Sequence, residues 1–267
     1  MRALRAVMRG AATPASGLAW VEVGAAGLYL MPRSVEPTAM LWIHGGGLVV
    51  GAARRQLAHQ RALAAEVGLW ATAEYRLAPE HPFPAALDDL EAAFHWLVEQ
   101  PGIERVAVGG LSAGGGLAAA LCQRLRDAGG AQPVLQLLVY PMLDDRSTHG
   151  HSPDDDHLRL WDRRSNALGW SSYLAGQAPT TPHAVPARAD DLSGLPPAWI
   201  GVGTLDLFHD ESVAYAERLR AAGVDATLDI VPGAYHGFDQ AEPRATVSRA
   251  FRESQRQALA RAMAPAD

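Results

Sequence analysis

Short apolar runs alternate with longer segments of helical periodicity along most of this chain, and this alternation restricts its fold more than any other feature. The apolar runs are four to eight residues long, and the segments between them repeat apolar residues every three or four positions. Strands that alternate with helices form a mostly parallel central sheet with helices on both faces. We therefore predict an α/β fold. The predicted strands are 19–23, 27–31, 39–44, 69–75, 105–110, 134–140, 197–203 and 226–231. The predicted helices are 85–100, 113–129, 210–223 and 245–263.

Length and composition indicate one domain over residues 1–267. The 267 residues are 48% hydrophobic and 19% charged, which is typical of a globular protein with a sizeable core. No repeat or linker divides the chain, and the first two strands are expected to pair as an antiparallel hairpin at the sheet edge. The segment from about 144 to 186 interrupts the alternation, and we expect it to cross the ligand-binding face.

Charge and residue usage exclude several functions. The net charge of −6 argues against nucleic acid as a partner. The chain has no lysine, so it has no Schiff-base lysine, Ser-Lys dyad or P-loop lysine. Its one cysteine, Cys122, allows no intrachain disulfide and no cysteine zinc site. No signal-like segment and no apolar run long enough to span a membrane is visible, so we expect a cytoplasmic protein without membrane contact.

A serine follows the predicted strand 105–110 in the pattern G-x-S-x-G, Gly110 to Gly114, and a helix begins directly after it. In this strand-turn-helix context the pattern predicts a nucleophile elbow, in which a tight turn exposes the hydroxyl of Ser112. The alternative is a glycine-rich turn with Ser112 as a helix cap.

A nucleophilic serine needs a base, and the base needs an orienting carboxylate. Asp206 and His236 follow in the required order, each just beyond a predicted strand, where active sites of open α/β sheets lie. The neighbouring carboxylates Asp210 and Glu211 are expected to start the next helix and to interact with its dipole. The nearby His209 is expected to be solvated. The other histidines considered precede the serine and are therefore poor candidates for the base: His44, His59, His81 and His95.

Three consecutive glycines, Gly45 to Gly47, follow the predicted strand 39–44. Backbone N–H groups without obstructing side chains stabilise the oxyanion of an acyl-transfer intermediate. We predict that Gly45 and Gly46 supply such donors together with Ala113, the residue after the serine. A phosphate-binding loop is the alternative, but the P-loop lysine and spacing are missing.

The chain resembles the hormone-sensitive-lipase-like family of carboxylesterases. The motifs that carry the resemblance are HGGG (44–47), EYRLAPEHPFPAALDD (74–89), GLSAGGGLA (110–118), LPPAWIGVGTLDLFHDE (195–211) and YHGF (235–238). The resemblance implies an α/β-hydrolase fold, no cofactor and ester hydrolysis through an acyl-serine. We separately expect no metal. The resemblance also implies a nucleophile at Ser112, an orienting carboxylate at Asp206, a base at His236, and oxyanion donors at Gly45, Gly46 and Ala113. His44 then has a structural role in the glycine loop.

Three departures from the family pattern bear on the site. Leu111 and Glu74 stand where the family usually has aspartate, and the N-terminal segment, about 1–18, is short for a family member. We therefore expect a reduced cap, formed by this segment and the excursion at about 144–186. We also expect an open, accessible site and a preference for small, soluble esters over long-chain triglycerides.

Several alternatives remain open at this point. The acidic and histidine-rich residues 149–157 resemble a metal site, although a solvated loop explains them equally well. Trp161, Trp170 and Tyr173 are expected to pack on a helix rather than face substrate. The chain is expected to act on a small-molecule ester, with a possible homodimer formed through its last helix. A catalytically silent binding protein and an amide-directed hydrolase, of the formamidase or arylacetamide deacetylase type, are the alternative functions.

Overall fold

The computed structural model describes residues 18–32, 37–61, 63–148 and 158–264. Eight strands form one sheet in the order β1-β2-β4-β3-β5-β6-β7-β8. The strands are β1 (Ala19–Val23), β2 (Ala26–Pro32), β3 (Thr38–Ile43), β4 (Leu69–Glu74), β5 (Arg105–Leu111), β6 (Gln136–Val139), β7 (Ala198–Gly203) and β8 (Ala226–Val231). β1 pairs antiparallel with β2 and β2 antiparallel with β4, while the remaining pairs are parallel. The predicted parallel sheet and edge hairpin are thereby confirmed.

Helices cover both faces of the sheet. The longer ones are α1 (Ala85–Val98), α2 (Ala113–Ala128), α3 (Arg163–Leu174), α4 (His209–Ala221) and α5 (Thr246–Met263). Short helical segments occupy Ala53–Arg55, Leu57–Gln60, Leu63–Glu66, Asp145–Thr148, Pro186–Arg188 and Phe238–Ala241.

Alternation of side chains along the strands divides the core into two layers. On β3, Leu41 packs with buried residues of α1 to α4, whereas Met40 and Trp42 pack with α5 and the segments around Leu57 and Leu63. Successive side chains of a strand point to opposite faces. A strand covered on both faces is therefore apolar throughout, and all six residues of β3 are buried.

The segment that interrupts the alternation contains a helix that the sequence analysis did not delimit. Asp162 caps the N-terminus of α3 by accepting a hydrogen bond from the N–H of Ser165, at 2.7 Å. The helix ends where Ala175 adopts a left-handed conformation, with φ of 48°. Trp170 and Tyr173 are buried on this helix and belong to the core, as expected for aromatics that pack.

Two predictions fall largely on residues outside the described ranges. These are the N-terminal cap segment at about 1–18, except for Leu18, and the metal-like cluster at 149–157. Within the described ranges, no group of three or more His, Cys, Asp or Glu side chains is placed to hold a metal ion. None of the helices in these ranges is long and apolar enough to cross a membrane.

Candidate active site

Ser112 occupies a strained turn between β5 and α2. Its backbone φ of 56° and ψ of −124° lie outside the regions that L-residues favour. Glycines on either side make the turn possible, because a Cβ at Gly110 would lie 2.5 Å from the carbonyl oxygen of Ile43. A Cβ at Gly114 would lie 2.1 Å from the same oxygen. The G-x-S-x-G pattern therefore reflects the close approach of this turn to β3, and strain of this kind is common at functional sites.

The structure brings Ser112, His236 and Asp206 together. The Oγ atom of Ser112 lies 3.0 Å from Nε2 of His236, and Nδ1 of His236 lies 2.9 Å from Oδ2 of Asp206. All three residues are buried. They follow β5, β8 and β7, so the site lies at the carboxyl ends of parallel strands.

The hydrogen bonds of Asp206 fix the tautomer of the histidine. Its Oδ1 accepts the backbone N–H of Phe208 at 2.9 Å, which leaves Oδ2 for the imidazole. A carboxylate can only accept, so Nδ1 of His236 carries the proton and Nε2 is left as an acceptor for the serine hydroxyl. The arrangement is suited to removing the hydroxyl proton from Ser112.

Two aromatic rings hold the imidazole on its other sides. Phe208 meets His236 nearly at right angles, with ring centroids 5.2 Å apart, and Tyr140 also meets it edge-on. Edge-to-face contacts of this type are favourable and orient both rings. Sequence analysis did not predict a role for either residue, although Tyr140 ends the apolar run of β6 and Phe208 lies two residues after Asp206.

The glycine loop after β3 lies directly against the serine turn. A Cβ at Gly45 would come within 3.2 Å of the Cβ of Ser112, and one at Gly46 would lie 2.0 Å from the carbonyl oxygen of Val50. Gly46 has a φ of 127°, which only glycine adopts readily. Within the described part of the chain, the N–H groups of Gly45, Gly46 and Ala113 make no backbone hydrogen bond. These three N–H groups are therefore free to bind an anionic oxygen.

His44 holds the glycine loop in place. Its ring stacks on Tyr75 with centroids 4.3 Å apart, and its Nδ1 lies 2.8 Å from the carbonyl oxygen of Gly45. The Tyr75 hydroxyl donates to the carbonyl oxygen of His44 at 2.8 Å. Because His44 is buried and contacts the glycine loop and Tyr75, its position fits the structural role expected for it.

The two departures from the family motifs occupy different environments. Leu111 is buried in the core layer that contains α5, and its Cδ1 would lie 2.6 Å from a Cβ at Gly45. It therefore packs under the glycine loop through apolar contact. Glu74 accepts the backbone N–H of Ala53 at 2.8 Å and so holds the segment that follows the glycine loop.

Glu211 differs from its predicted role. It lies in the first turn of α4, as expected, but its side chain is buried and binds the loop after β6 instead of only facing the helix dipole. It accepts the N–H groups of Leu143 at 2.6 Å and Asp144 at 3.3 Å, and the hydroxyl of Ser147. Burial raises the pKa of Glu211 to about 8. The prediction was incomplete because these contact partners lie 64 or more residues from Glu211 along the chain, and no local sequence pattern indicates a contact over that distance.

The start of α3 lies against the glycine loop. A Cβ at Gly47 would lie 2.0 Å from the ring of Trp161, and a Cβ at Gly169 would lie 2.6 Å from the carbonyl oxygen of Gly47. Trp161 was expected to pack on a helix. It is half-buried, packs against the core and lies next to Gly47, while its Nε1 donates to Asn166 at 3.3 Å.

Comparison with known proteins agrees with this architecture. A family described as having the alpha/beta hydrolase fold matches residues 40–240. The chain belongs to this α/β-hydrolase family. Its relatives include "Esterase LipI" of Mycobacterium tuberculosis, 39% identical over 219 residues, which are 78% of this chain and 67% of the relative. "Ethyl acetate hydrolase" of Pseudomonas putida is 35% identical and is matched over 79% of this chain and 70% of its own length.

A solved structure described as a hormone-sensitive lipase from a metagenome library superimposes with a TM-score of 0.89 and 28% identity, covering 98% of this chain and 91% of that one. The α/β-hydrolase chain is thus a homologue of carboxylic ester hydrolases. It spans between 56% and 67% of the length of mycobacterial relatives that it matches.

Proposed function

We propose that this α/β-hydrolase is a single-domain serine carboxylesterase that acts on short-acyl esters. The observation that carries the proposal is the buried relay from Ser112 through His236 to Asp206, with contacts of 3.0 and 2.9 Å. The names of its relatives, esterases and carboxylic ester hydrolases, support the same reaction class. No cofactor is needed for this chemistry.

In the acylation step, Nε2 of His236 accepts the proton of the Ser112 hydroxyl as Oγ attacks the ester carbonyl carbon. Asp206 stabilises the imidazolium that forms and holds it in place. Collapse of the tetrahedral intermediate breaks the bond to the alcohol oxygen, which takes the proton from His236 and leaves. The acyl group is then bound to Ser112 as an ester.

The oxyanion formed in this step is bound by the backbone N–H groups of Gly45, Gly46 and Ala113. These donors are fixed before the reaction, since His44 and Tyr75 hold the glycine loop and α2 fixes Ala113. Each such donor contributes about 3 to 4 kcal/mol to the transition state in comparable hydrolases. In deacylation, water attacks the acyl-serine with His236 again as the base.

The preference for short acyl groups is supported by the crowding around the serine, and this crowding differs from the open site expected from the sequence. Trp161 and Gly169 bring α3 into direct contact with Gly47, and Ser112 is only 5% exposed. We assign α3 and the surrounding excursion, about 144–186, to a reduced cap. The name of the Pseudomonas relative, an ethyl acetate hydrolase, is consistent with a small substrate.

The hydrogen-bonded relay favours a hydrolase over a catalytically silent binding protein, because a silent member has no need of an oriented base. An amide-directed activity uses the same relay, and a comparison of matched esters and amides separates the two. We expect acetyl esters to react faster than the matched acetamides, since an amine is a poorer leaving group.

The first experiment measures hydrolysis of p-nitrophenyl esters from acetate to palmitate at pH 8. Wild type is compared with Ser112→Ala and with Ser171→Ala, which changes an exposed serine on α3. We expect the fastest turnover on short chains, a loss of about a millionfold in Ser112→Ala and no loss in Ser171→Ala. Equal rates in wild type and Ser112→Ala would contradict the proposal.

A further inference from the structure

An apolar groove lies beside the loops that carry the proposed base and its carboxylate. Its volume is about 400 Å³, which is within the range of sites that bind small molecules. Leu160 and Leu205 in this groove are 74% and 39% exposed, and clustered exposed apolar side chains are typical of ligand-binding grooves. The described residues that line it are Arg159, Leu160, Leu205, Tyr235 and Ala241.

Two of the lining residues directly precede members of the proposed triad. Leu205 precedes Asp206 after β7, and Tyr235 precedes His236 after β8. In the sheet, β7 and β8 lie on one side of β5, and β3, which carries the glycine loop, lies on the other. The groove is therefore on the histidine side of Ser112, away from the proposed oxyanion donors.

A tight turn at residues 159–161 carries Leu160. The N–H of Trp161 donates to the carbonyl oxygen of Arg159 at 2.8 Å, and Leu160 between them has a φ of 66°. A three-residue turn with a positive φ at its centre is the strained form of the γ-turn. Leucine is disfavoured at such a φ, and strain of this kind persists only where the surrounding structure holds the residue in place.

The two side chains at the end of this turn contact opposite sides of the site. Cδ1 of Leu160 lies 3.4 Å from the position of a Cβ at Gly237, the residue after His236. The ring of Trp161 lies 2.0 Å from the position of a Cβ at Gly47, in the glycine loop. The turn therefore reaches from the glycine loop to the histidine loop, with Leu160 on the histidine side.

The chemistry of the proposed reaction decides which part of an ester lies on that side. Nε2 of His236 gives its proton to the oxygen of the leaving alcohol, so this oxygen must come within about 3 Å of Nε2. The carbonyl oxygen is bound instead by the N–H groups of Gly45, Gly46 and Ala113. A group attached to the alcohol oxygen therefore extends on the side where the groove lies.

We propose that this groove binds the alcohol part of the ester, and that Leu160 and Leu205 select esters of apolar alcohols. The inference rests on the proposed esterase function and extends it to the second half of the substrate, as esters of short acids with longer alkyl or aromatic alcohols. Arg159 is compatible with an apolar occupant, because its side chain is exposed and its guanidinium donates to the carbonyl oxygen of Leu158, at 3.0 Å. The two leucines determine specificity without taking part in bond breaking.

The test compares two isomeric esters, hexyl acetate and ethyl hexanoate, with ethyl acetate as the reference. Each isomer has four more methylene groups than the reference, on the alcohol in one and on the acyl group in the other. Acid release is followed by pH-stat titration below the solubility limit of each ester, and kcat/KM is divided by the rate constant with hydroxide. Since one buried methylene is worth up to about fourfold, we expect hexyl acetate to exceed ethyl acetate by at least about tenfold. Ethyl hexanoate should not exceed ethyl acetate.

Leu160→Ala and Leu205→Ala each remove part of the apolar surface of the groove. Both side chains are partly exposed, so we expect the variants to fold. Each should lower the corrected ratio of hexyl acetate to ethyl acetate at least about threefold. Leu168→Ala is the control, because Leu168 is also an exposed leucine, at 54%, but is not among the described residues that line the groove. It should leave this ratio unchanged.

The outcomes separate this inference from the proposed function. If wild type hydrolyses neither these esters nor p-nitrophenyl acetate, the esterase proposal itself fails. If it hydrolyses p-nitrophenyl acetate or ethyl acetate without a preference for hexyl acetate, the esterase proposal stands and the inference is overturned. A loss on ethyl hexanoate rather than on hexyl acetate in Leu160→Ala would assign the groove to the acyl group and would also overturn it. Equal losses on all three esters would do the same, since the leucines would then have only a structural role.

Discussion

The hydroxyl of Tyr140 donates a hydrogen bond to Oδ1 of Asp239, at 2.9 Å, and both residues are buried. The ring of the same tyrosine meets that of His236, with centroids 4.8 Å apart and an angle of 67° between the planes. One side chain therefore connects the end of β6 to the loop that bears the proposed base. The ring supports the imidazole, and the hydroxyl satisfies a buried carboxylate.

Tyr140→Phe should separate these two contributions. It keeps the ring and removes a donor to Asp239, so we expect the free energy of unfolding to fall by about 1 to 3 kcal/mol. We expect kcat to stay within about fivefold of wild type, because the contact with His236 remains. Urea unfolding and ester hydrolysis measure the two quantities. A hundredfold loss of kcat in a folded variant would instead assign the hydroxyl a role in the chemistry.

Asp206→Asn should reduce kcat by about 10⁴-fold while leaving the fold intact. The amide nitrogen can donate where the carboxylate only accepts, so the imidazole loses the tautomer that leaves Nε2 as an acceptor. Asp210→Asn is the matched control, since Asp210 lies on the same stretch but its side chain is fully exposed. The measurement is kcat of both variants and wild type on p-nitrophenyl acetate, from steady-state kinetics. Similar losses in the two variants would count against the assignment of Asp206.

Gly46→Ala should impair the oxyanion donors. The new methyl group would lie 2.0 Å from the carbonyl oxygen of Val50, at a φ of 127°, so the loop must shift. We expect kcat/KM to fall by a factor on the order of 10² to 10³.

The control for this prediction is Gly130→Ala. Gly130 also has a positive φ, 105°, but a Cβ there would have no heavy atom within 4 Å. Gly130→Ala therefore introduces an alanine at a similarly positive φ, but its methyl group meets no other heavy atom and lies away from the glycine loop. Full activity of Gly46→Ala, measured beside this control, would show that the glycine loop does not bind the oxyanion.

Glu211 should make stability depend on pH above neutrality. Its pKa is about 8 in the folded protein and near 4.5 in an exposed glutamate, mainly because of burial and with a contribution from Asp144. The folded state therefore holds this proton more tightly than the unfolded state. The stability that it contributes is complete below about pH 4.5 and is lost as the pH rises through 8.

Glu211→Gln keeps an acceptor for the N–H groups of Leu143 and Asp144 and cannot ionise. Relative to wild type, the variant should gain stability as the pH rises from 5 to 9, by an amount on the order of 4 kcal/mol. Urea unfolding of both proteins at several pH values measures the difference, and subtracting one from the other cancels every other titrating group. A constant difference across this range would show that Glu211 is ionised in the folded protein throughout.

Much of the fold could be predicted from the sequence because its signals are local. The buried strands are continuous apolar runs, and the helices α1, α2, α4 and α5 begin and end within two residues of the predicted bounds. The proposed triad could be located because each member follows a strand and the chain order of the three is fixed in this fold. β6 proved shorter than predicted at both ends, since its apolar run begins at Val134 and continues into Tyr140, beyond the paired residues Gln136–Val139.

The features that were missed depend on contacts between distant parts of the chain. α3 contains Gly169 and several serines, which are weak helix formers, so its helical pattern is hidden and packing decides its structure. In the sequence, Glu211 is an ordinary first-turn carboxylate. Only the folded structure shows that the loop after β6 covers its side chain and donates hydrogen bonds to it. Tyr140 and Phe208 have no local motif, and their positions beside His236 emerge only once β6, β7 and β8 are aligned.

The partners of the relay lie far apart along the chain. Ser112 and His236 are separated by 124 residues and follow β5 and β8, two strands with β6 and β7 between them. On the ribosome, the proposed nucleophile therefore emerges long before the proposed base, and their contact forms only once β8 has joined the sheet. Under the proposed function, recovery of ester hydrolysis after dilution from denaturant would accordingly report when β8 has joined the sheet, and a chain that ends before residue 236 would be inactive even if its first half had folded.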